Sequence, residues 1–257
     1  MELAIIPPTK MLDDAGHFKM QLLLPHQLLN DKNYALWYLQ NSRSGMHYIL
    51  DNGAAEGEPV PSAVLDTLAK MYAVHEVAMP DVPGDMDRTI LRYYQATDWL
   101  RAVYGAEGPP YKVGAVVKGR NIHEAFKCLE QMYRSNSFLD IVYIPRLLVT
   151  KDHRAARCDL AYKIHEKYPE LKIHFFGMKH EYTRELSWIP SNNTFIRSID
   201  TSTPYVYAVA GMKFGKQWNE TAPHRELNYF HRIPTPDIKR LAWENIDILK
   251  ETMPHGA

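Results

Sequence analysis

Short apolar runs alternate with helical patterns along most of this chain, and this alternation constrains the fold more than any other feature. Between the runs, as in 121–134, apolar residues recur at the spacing of one helix face. Alternating strands and helices predict parallel βαβ units, and about eight of them favour a closed (β/α)8 barrel of the TIM type. The runs that predict strands lie at 2–6, 46–50, 75–79, 112–117, 140–144, 171–176, 194–199 and, less clearly, 205–210.

The 257 residues, 46% of them hydrophobic, suit one large core and a single domain over 1–257. An open doubly wound sheet is the alternative, but no glycine-rich phosphate loop follows the first run. We expect residues 1–45 to form an N-terminal cover over one end of the barrel, and residues 211–257 to hold a long loop and a terminal helix. The predicted helices lie at 61–74, 86–104, 121–134, 154–168, 183–189 and 238–251.

Three of the apolar runs end on an aspartate followed by turn-forming residues: YILD ends at Asp51, EVAMPD at Asp81 and FIRSID at Asp200. In a parallel barrel the carboxyl ends of the strands meet at the catalytic rim, so the pattern predicts a pocket lined by carboxylates. Two carboxylates can divide the breaking of a glycosidic bond between a nucleophile and an acid. An aspartate after a strand can also be only a turn former or helix cap, and we assign the cap to Asp85.

Charge and cysteine content narrow the classes of function. The formal net charge is zero, so there is no bulk attraction to nucleic acid or membrane, although 51–98 is acidic and 211–240 is basic. The two cysteines, Cys128 and Cys158, make neither a disulfide framework nor a zinc site, which predicts a reduced setting. No segment has the long apolar stretch of a membrane span or export signal. We therefore expect a cytoplasmic protein without a membrane partner, in the host cytoplasm if a phage encodes it.

Six motifs occur in an order that resembles the tRNA-guanine transglycosylases, over about residues 46–204. They are ILDNGAAEG, AMPDVPGD, VGAVVKG, VYIPRLL, IHFFGM and SIDTSTP. The resemblance implies that Asp200 is the nucleophile, that Asp51 is the general acid and base, and that Asp81 recognises the purine. It also implies a substrate-binding lining from residues at the same strand ends: Asn52, Gly53, Lys118, Gly119, Ile144, Pro145 and Gly177.

The departures from that family are informative. Lys118 stands where the family has glutamine, and Ile144-Pro145 replaces a pair of glycines. Family tRNA enzymes carry a zinc-binding cysteine insert near the C-terminus, whereas no cysteine follows Cys158 here. The chain is therefore most similar to the zinc-less, phage-type DNA-guanine transglycosylases, which exchange guanine in DNA for a 7-deazaguanine base of the preQ0 type. The resemblance implies no metal and no cofactor, and it implies DNA and a free 7-deazaguanine base as partners.

The basic residues of the predicted active-site loops and of the C-terminal region are the predicted phosphate contacts. They are Arg146, Lys151, Arg154, Lys213, Lys216, Arg225 and Arg232. Three other functions stay open: a zinc-less tRNA-guanine transglycosylase, a non-catalytic nucleic-acid-binding paralogue, and a sugar-processing hydrolase with a carboxylate pair. We expect His174 to be a structural histidine within its strand, and Tyr143 and Phe176 to be core residues or to stack on a base.

Overall fold

Eight parallel strands close into one barrel in the computed structural model, which describes residues 1–42, 45–57, 59–135, 138–148, 155–178, 186, 188–189, 193–214, 223, 225–226 and 228–253. The strands follow one another around the barrel in chain order, and the last pairs with the first. The predicted (β/α)8 class is confirmed. The strands are β1 Glu2–Ile5, β2 Met20–Leu23, β3 His47–Leu50, β4 Glu76–Ala78, β5 Lys112–Val116, β6 Leu139–Pro145, β7 Lys172–Phe176 and β8 Ile196–Thr201.

Helices connect the strands and cover the outside of the barrel. In chain order they are α1 Leu12–Ala15, α2 Pro25–Asn30, α3 Lys32–Asn41, α4 Ser62–Met71, α5 Met86–Tyr104, α6 Ile122–Ser135, α7 Ala156–Lys167, α8 Thr203–Val209 and α9 Pro236–Thr252. Short 3-10 turns lie at Thr9–Met11, Arg146–Leu148 and Tyr229–His231. Within the described ranges, no helix has both the length and the apolar character needed to cross a membrane.

One strand was not predicted and one predicted strand is wrong, so the number of strands is still eight. Within residues 1–45, which were predicted to form a cover, Met20–Leu23 forms the unpredicted strand β2 and pairs with β1 and β3. Residues 205–210 are not a strand, because 205–209 form the larger part of α8 and Ala210 caps its C-terminal end. Pro204 lies in the first turn of α8, where its missing N–H costs nothing, and the hydroxyl of Thr201 accepts the N–H of Thr203 at 3.0 Å.

Helix boundaries follow local capping. The Asp85 side chain accepts the N–H of Arg88 at 3.0 Å, which confirms its assignment as the cap of α5. Helix α9 begins two residues before the predicted 238, because Thr235 caps it and Pro236 occupies its first turn. The helix predicted at 183–189 falls mostly outside the described residues.

A β-bulge in β8 decides which side chains enter the barrel near its centre. Ile196 pairs with Ile173 and Ser198 with His174, so Arg197 is the extra residue between them. His174 is also paired with Tyr143 on its other side, which places Tyr143, His174 and Ser198 on the same face of the sheet. A β-carbon at Gly114 would lie 2.0 Å from the Tyr143 ring, so glycine makes room for that ring.

Candidate active site

The predicted site residues lie at or just beyond the carboxyl ends of six strands, on one rim of the barrel. Asp51, Asn52 and Gly53 follow β3, Asp81 follows β4, Lys118 and Gly119 follow β5, Ile144 and Pro145 end β6, Gly177 follows β7 and Asp200 lies near the end of β8. Because all eight strands are parallel, their carboxyl ends form one face. The sequence pattern therefore gathers these residues as expected, and their individual roles stay predictions.

Asp200 is almost fully buried and is held through one oxygen. Its Oδ1 accepts the backbone N–H of Gly177 at 2.8 Å and lies 3.1 Å from Nε2 of His174. Gly177 reaches this position with a φ of +65°, a conformation that favours glycine. Two donors on Oδ1 suit a carboxylate anion and leave Oδ2 as the oxygen available for chemistry.

Asp51 lies in a different electrostatic environment. Burial raises the pKa of its carboxyl well above the usual range, and the nearby charges of Glu56, Asp81 and Asp200 raise it further. The N–H of Asn52, which donates to Oδ1 of Asp51 at 2.8 Å, acts in the opposite direction but does not outweigh burial. A carboxyl group with a raised pKa is suited to act as a proton donor.

Asn52 links the two carboxylates of β3 and β4. Its side-chain amide donates to Oδ1 of Asp81 at 2.7 Å and to the carbonyl of Met79 at 2.8 Å, while its Oδ1 accepts the N–H of Ala54. Lys118 Nζ lies 2.6 Å from the other oxygen of Asp81. Each oxygen of Asp81 thus already has one donor and keeps a second lone pair for a ligand.

Several predicted lining residues have a structural reason to be where they are. A β-carbon on Gly53, whose φ is +81°, would lie 2.7 Å from Nε2 of His26, and one on Gly119 would lie 2.3 Å from the backbone nitrogen of Ala125. Glycine is therefore required at both positions by packing alone. Pro145 offers a ligand no N–H, and the carbonyl of Ile144 is used within the protein.

That carbonyl is bound by Arg157, a fully buried arginine of α7 that the sequence pattern did not single out. Its Nη1 lies 3.3 Å from the carbonyl of Ile144, 3.1 Å from that of Phe176 and 2.9 Å from that of Gly177. The guanidinium also lies over the Phe175 ring at 4.5 Å. Arg157 thereby fixes the chain around Gly177, whose N–H holds Asp200. An arginine inside an otherwise apolar helix face was the available signal.

An ion pair ties the C-terminal region to the Asp51 turn. Arg225 donates to Oε1 of Glu56 at 2.9 Å, and its guanidinium lies over the Phe230 ring at 5.4 Å. Among the neighbouring charges, that of Glu56 raises the pKa of Asp51 most. Arg225 and Asp51 therefore share Glu56 as a neighbour. Sequence reasoning missed Glu56.

Of the seven predicted phosphate contacts, Lys151, Arg154 and Lys216 lie outside the described residues. Three others are in ion pairs within the chain: Lys213 with Glu244, Arg225 with Glu56, and Arg232 with Glu226. Arg146 is exposed, and its side chain would be 3.3 Å from a β-carbon at Gly177. Among the four predicted phosphate contacts that the structure describes, Arg146 is therefore the one beside Gly177, which holds Asp200.

A second polar cluster lies deeper in the barrel, toward the amino ends of the strands. Glu76 is fully buried, and its two oxygens contact Nη1 and Nη2 of Arg197, the second at 2.7 Å. The Glu76 carboxylate also lies 2.5 Å from Nε2 of His47 and 3.3 Å from the hydroxyl of Tyr143. Burial raises the pKa of Glu76, but His47 and Arg197 outweigh it and lower the pKa to about 2. No group of three or more potential metal ligands occurs among the described residues.

Comparisons with known proteins give structural neighbours only. No family model and no curated protein matches the chain. CdNal from Clostridium difficile, solved with mannosamine, is similar at a TM-score of 0.45 and 9% identity over 76% of this chain and 62% of that one. A protein from Plasmodium yoelii assigned as an orotidine-monophosphate decarboxylase is similar at a TM-score of 0.46 and 9% identity, over 92% of this chain and 68% of that one. The chain thus spans less than two thirds of CdNal, and likeness at this level bears on neither chemistry nor substrate.

Proposed function

We propose that the chain is a transglycosylase that exchanges guanine in DNA for a 7-deazaguanine base through a covalent aspartyl intermediate. One observation carries the proposal: two carboxyl groups on the same rim lie in contrasting environments. Asp200 is held through one oxygen by Gly177 and His174, whereas burial and neighbouring charges raise the pKa of Asp51 well above its usual range. Such a division between an anion and an acid is what exchange at an anomeric carbon requires.

In the first half-reaction, Oδ2 of Asp200 attacks C1′ of the target deoxyguanosine. The bond from C1′ to the guanine nitrogen breaks, and Asp51 supplies the proton that neutralises the departing base. In the second half, the incoming base attacks C1′, loses its N–H proton to the Asp51 carboxylate and releases Asp200. The two steps use one proton and one nucleophile, and both are restored at the end.

Base recognition is proposed to use Asp81 and Lys118 together. Guanine and 7-deazaguanines share two donors, the ring N–H and the exocyclic amine, beside one acceptor, the ring carbonyl. A carboxylate next to an ammonium presents the complementary order of acceptor and donor. Adenine carries neither this donor pair nor the carbonyl, so the same pair of residues would reject it.

The test is exchange of radiolabelled guanine into DNA, with tRNA as a second substrate. We expect wild-type protein to label DNA and to form an adduct with it that survives denaturation. Asp200→Asn keeps the shape of the side chain but loses the anionic oxygen, so adduct and exchange should both disappear while circular dichroism is unchanged. Labelling of tRNA alone would move the assignment to the zinc-less tRNA enzyme, and undiminished exchange by Asp200→Asn would refute the mechanism.

A further inference from the structure

A chain of hydrogen bonds between side chains connects the buried Glu76 cluster with Asp200. Arg197 Nε lies 3.2 Å from the hydroxyl oxygen of Ser198, that oxygen lies 2.7 Å from Nδ1 of His174, and Nε2 of His174 lies 3.1 Å from Oδ1 of Asp200. His174 and Ser198 are fully buried. Solvent therefore cannot substitute for any contact in the middle of this chain.

The direction of every hydrogen bond in the chain is fixed by chemistry. A guanidinium can only donate, so the Ser198 oxygen accepts from Arg197. A carboxylate oxygen can only accept, so Nε2 of His174, which faces Oδ1 of Asp200, carries the proton of the neutral ring. Nδ1 is then the accepting nitrogen, and the Ser198 hydroxyl donates to it.

The cationic end of the chain is anchored in turn. Both Nη atoms of Arg197 contact the two oxygens of Glu76, a fork geometry that fixes the guanidinium plane. Arg197 can reach Glu76 and Ser198 together because it is the extra residue of the β8 bulge. Burial lowers the pKa of His174, so the ring is neutral at neutral pH and does not compete with Asp51 as a proton donor.

We propose that Ser198 and His174 are positioning residues that Arg197 orients, and that they hold Oδ1 of Asp200 so that Oδ2 faces the substrate. The part of this inference that concerns catalysis rests on the proposed role of Asp200 as nucleophile. The part that concerns the imidazole does not, because the proton position on His174 follows from its contacts alone. The two parts can therefore be tested separately.

The proton position is tested first, by long-range proton–nitrogen correlation spectra of protein labelled with [15N]histidine. A His174→Gln variant identifies the His174 signals by their disappearance. We expect the Nε2–H form in wild-type protein and in Ser198→Ala, because Asp200 still faces Nε2, but a changed chemical shift of Nδ1 in Ser198→Ala, because Nδ1 then has no hydroxyl donor. An unchanged Nδ1 chemical shift in Ser198→Ala, or an Nδ1–H form in wild-type protein, would overturn this assignment whatever the protein's activity.

The effect on chemistry is tested next, from the rate of adduct formation with guanine-containing DNA. Ser198→Ala should slow the step by roughly 10- to 100-fold, because misplacing a reacting group by about 1 Å can cost about 100-fold in rate.

Two further variants separate positioning from packing. His174→Gln keeps an N–H donor near the Nε2 position and should retain more activity than His174→Leu, which has none. Thr97→Val removes a buried hydroxyl of α5 that bonds only to carbonyls of its own helix, and it should leave the rate unchanged. Equal losses in His174→Gln and His174→Leu, with a wild-type rate in Ser198→Ala, would show that these residues only fill space.

Discussion

The ammonium nitrogen of Lys118 lies 2.6 Å from Oδ2 of Asp81, and the two side chains are only 9% and 6% exposed. A buried ion pair adds little net stability, because desolvation of both charges offsets their attraction, but breaking it by removing one charge is costly. The pair can be kept for another reason, since Asp81 and Lys118 together present an acceptor and a donor to the same rim. Stability and ligand binding can therefore be separated experimentally at this pair.

Lys118→Met should lower the free energy of unfolding by about 3–5 kcal/mol, because the charge of Asp81 stays buried without its cation. The double variant Asp81→Asn/Lys118→Met removes both charges and should recover most of that loss. Urea denaturation at pH 7 measures both. Lys213→Met is the matched control, because the Lys213–Glu244 pair is 57% and 32% exposed and its loss should cost at most about 1 kcal/mol.

Binding of free guanine should not recover in the same double variant. Without the carboxylate the two donors of the base are unpaired in a desolvated site, which weakens binding by roughly 1–3 kcal/mol. Titration calorimetry with guanine gives the affinity directly. If the double variant binds guanine as tightly as wild-type protein, Asp81 and Lys118 do not read the base.

The ionisable carboxyl group of Asp51 should lower the stability of the protein at alkaline pH while it supports catalysis. Because its pKa is raised in the folded state, ionisation opposes folding, and wild-type protein should lose stability as pH rises through that folded pKa. Asp51→Asn cannot ionise, so it should melt at a higher temperature than wild-type protein on the alkaline side. The same variant should lose about 10²–10⁴-fold in exchange rate, the usual size of a general acid–base contribution. Melting curves and exchange rates at several pH values check both effects. Exchange by Asp51→Asn at the wild-type rate would show that Asp51 is only a turn former.

Glu76 should show the opposite pH dependence. Its folded pKa of about 2 lies below the ordinary value of 4.5, so its contribution is present above pH 4.5 and is lost as pH falls through 2. The difference corresponds to about 3 kcal/mol. Glu76→Gln should therefore be less stable than wild-type protein by roughly this amount at pH 7, and the gap should close in acid. Parallel urea curves at pH 7 and at pH 3 test this, and a gap that is independent of pH would show a packing effect alone.

The fold and the rim were accessible from the sequence because both depend on local patterns. An apolar run that ends on Asp51, Asp81 or Asp200 specifies a strand and its carboxyl end without knowledge of its neighbours. β2 was missed because MQLL is four residues long and lies among helical turns. Residues 205–210 were assigned to a strand because a short, continuous apolar run has no periodicity that would distinguish a strand from a buried helix.

The contacts that distinguish the carboxylates could not be predicted in this way. The contact between Glu76 and Arg197 joins residues 121 positions apart, and it depends on a bulge that shifts the register of one strand pair. His174 was expected to be a satisfied strand histidine. Both ring nitrogens of His174 do have hydrogen-bond partners, and these are Ser198 and Asp200. The interpretation of His174 as a structural residue therefore missed its contact with the candidate nucleophile. Register and long-range pairing are properties of the closed barrel and not of any single segment.

DNA binding should depend on salt in a way that separates Arg146 from the other described cations. Arg146 is exposed beside Gly177, whereas Lys213 is engaged with Glu244 on α9. Each phosphate contact contributes about one to the slope of log affinity against log salt concentration. Arg146→Ala should therefore reduce that slope by about one on a guanine-containing oligonucleotide, and Lys213→Ala should leave it unchanged. Equal slopes for wild type and Arg146→Ala would exclude Arg146 as a phosphate contact.

Exchange should also be faster on unpaired guanine than on guanine within a duplex. Asp51 and Asp200 are 9% and 4% exposed, so a base must leave its stack to reach them. Extruding a paired base costs a few kcal/mol, and that cost is absent for a single strand or a mismatch. Exchange rates on matched single-stranded, mismatched and fully paired oligonucleotides measure the difference. Equal rates on all three, together with binding that is indifferent to salt, would mean that these carboxylates act on something other than a nucleic acid.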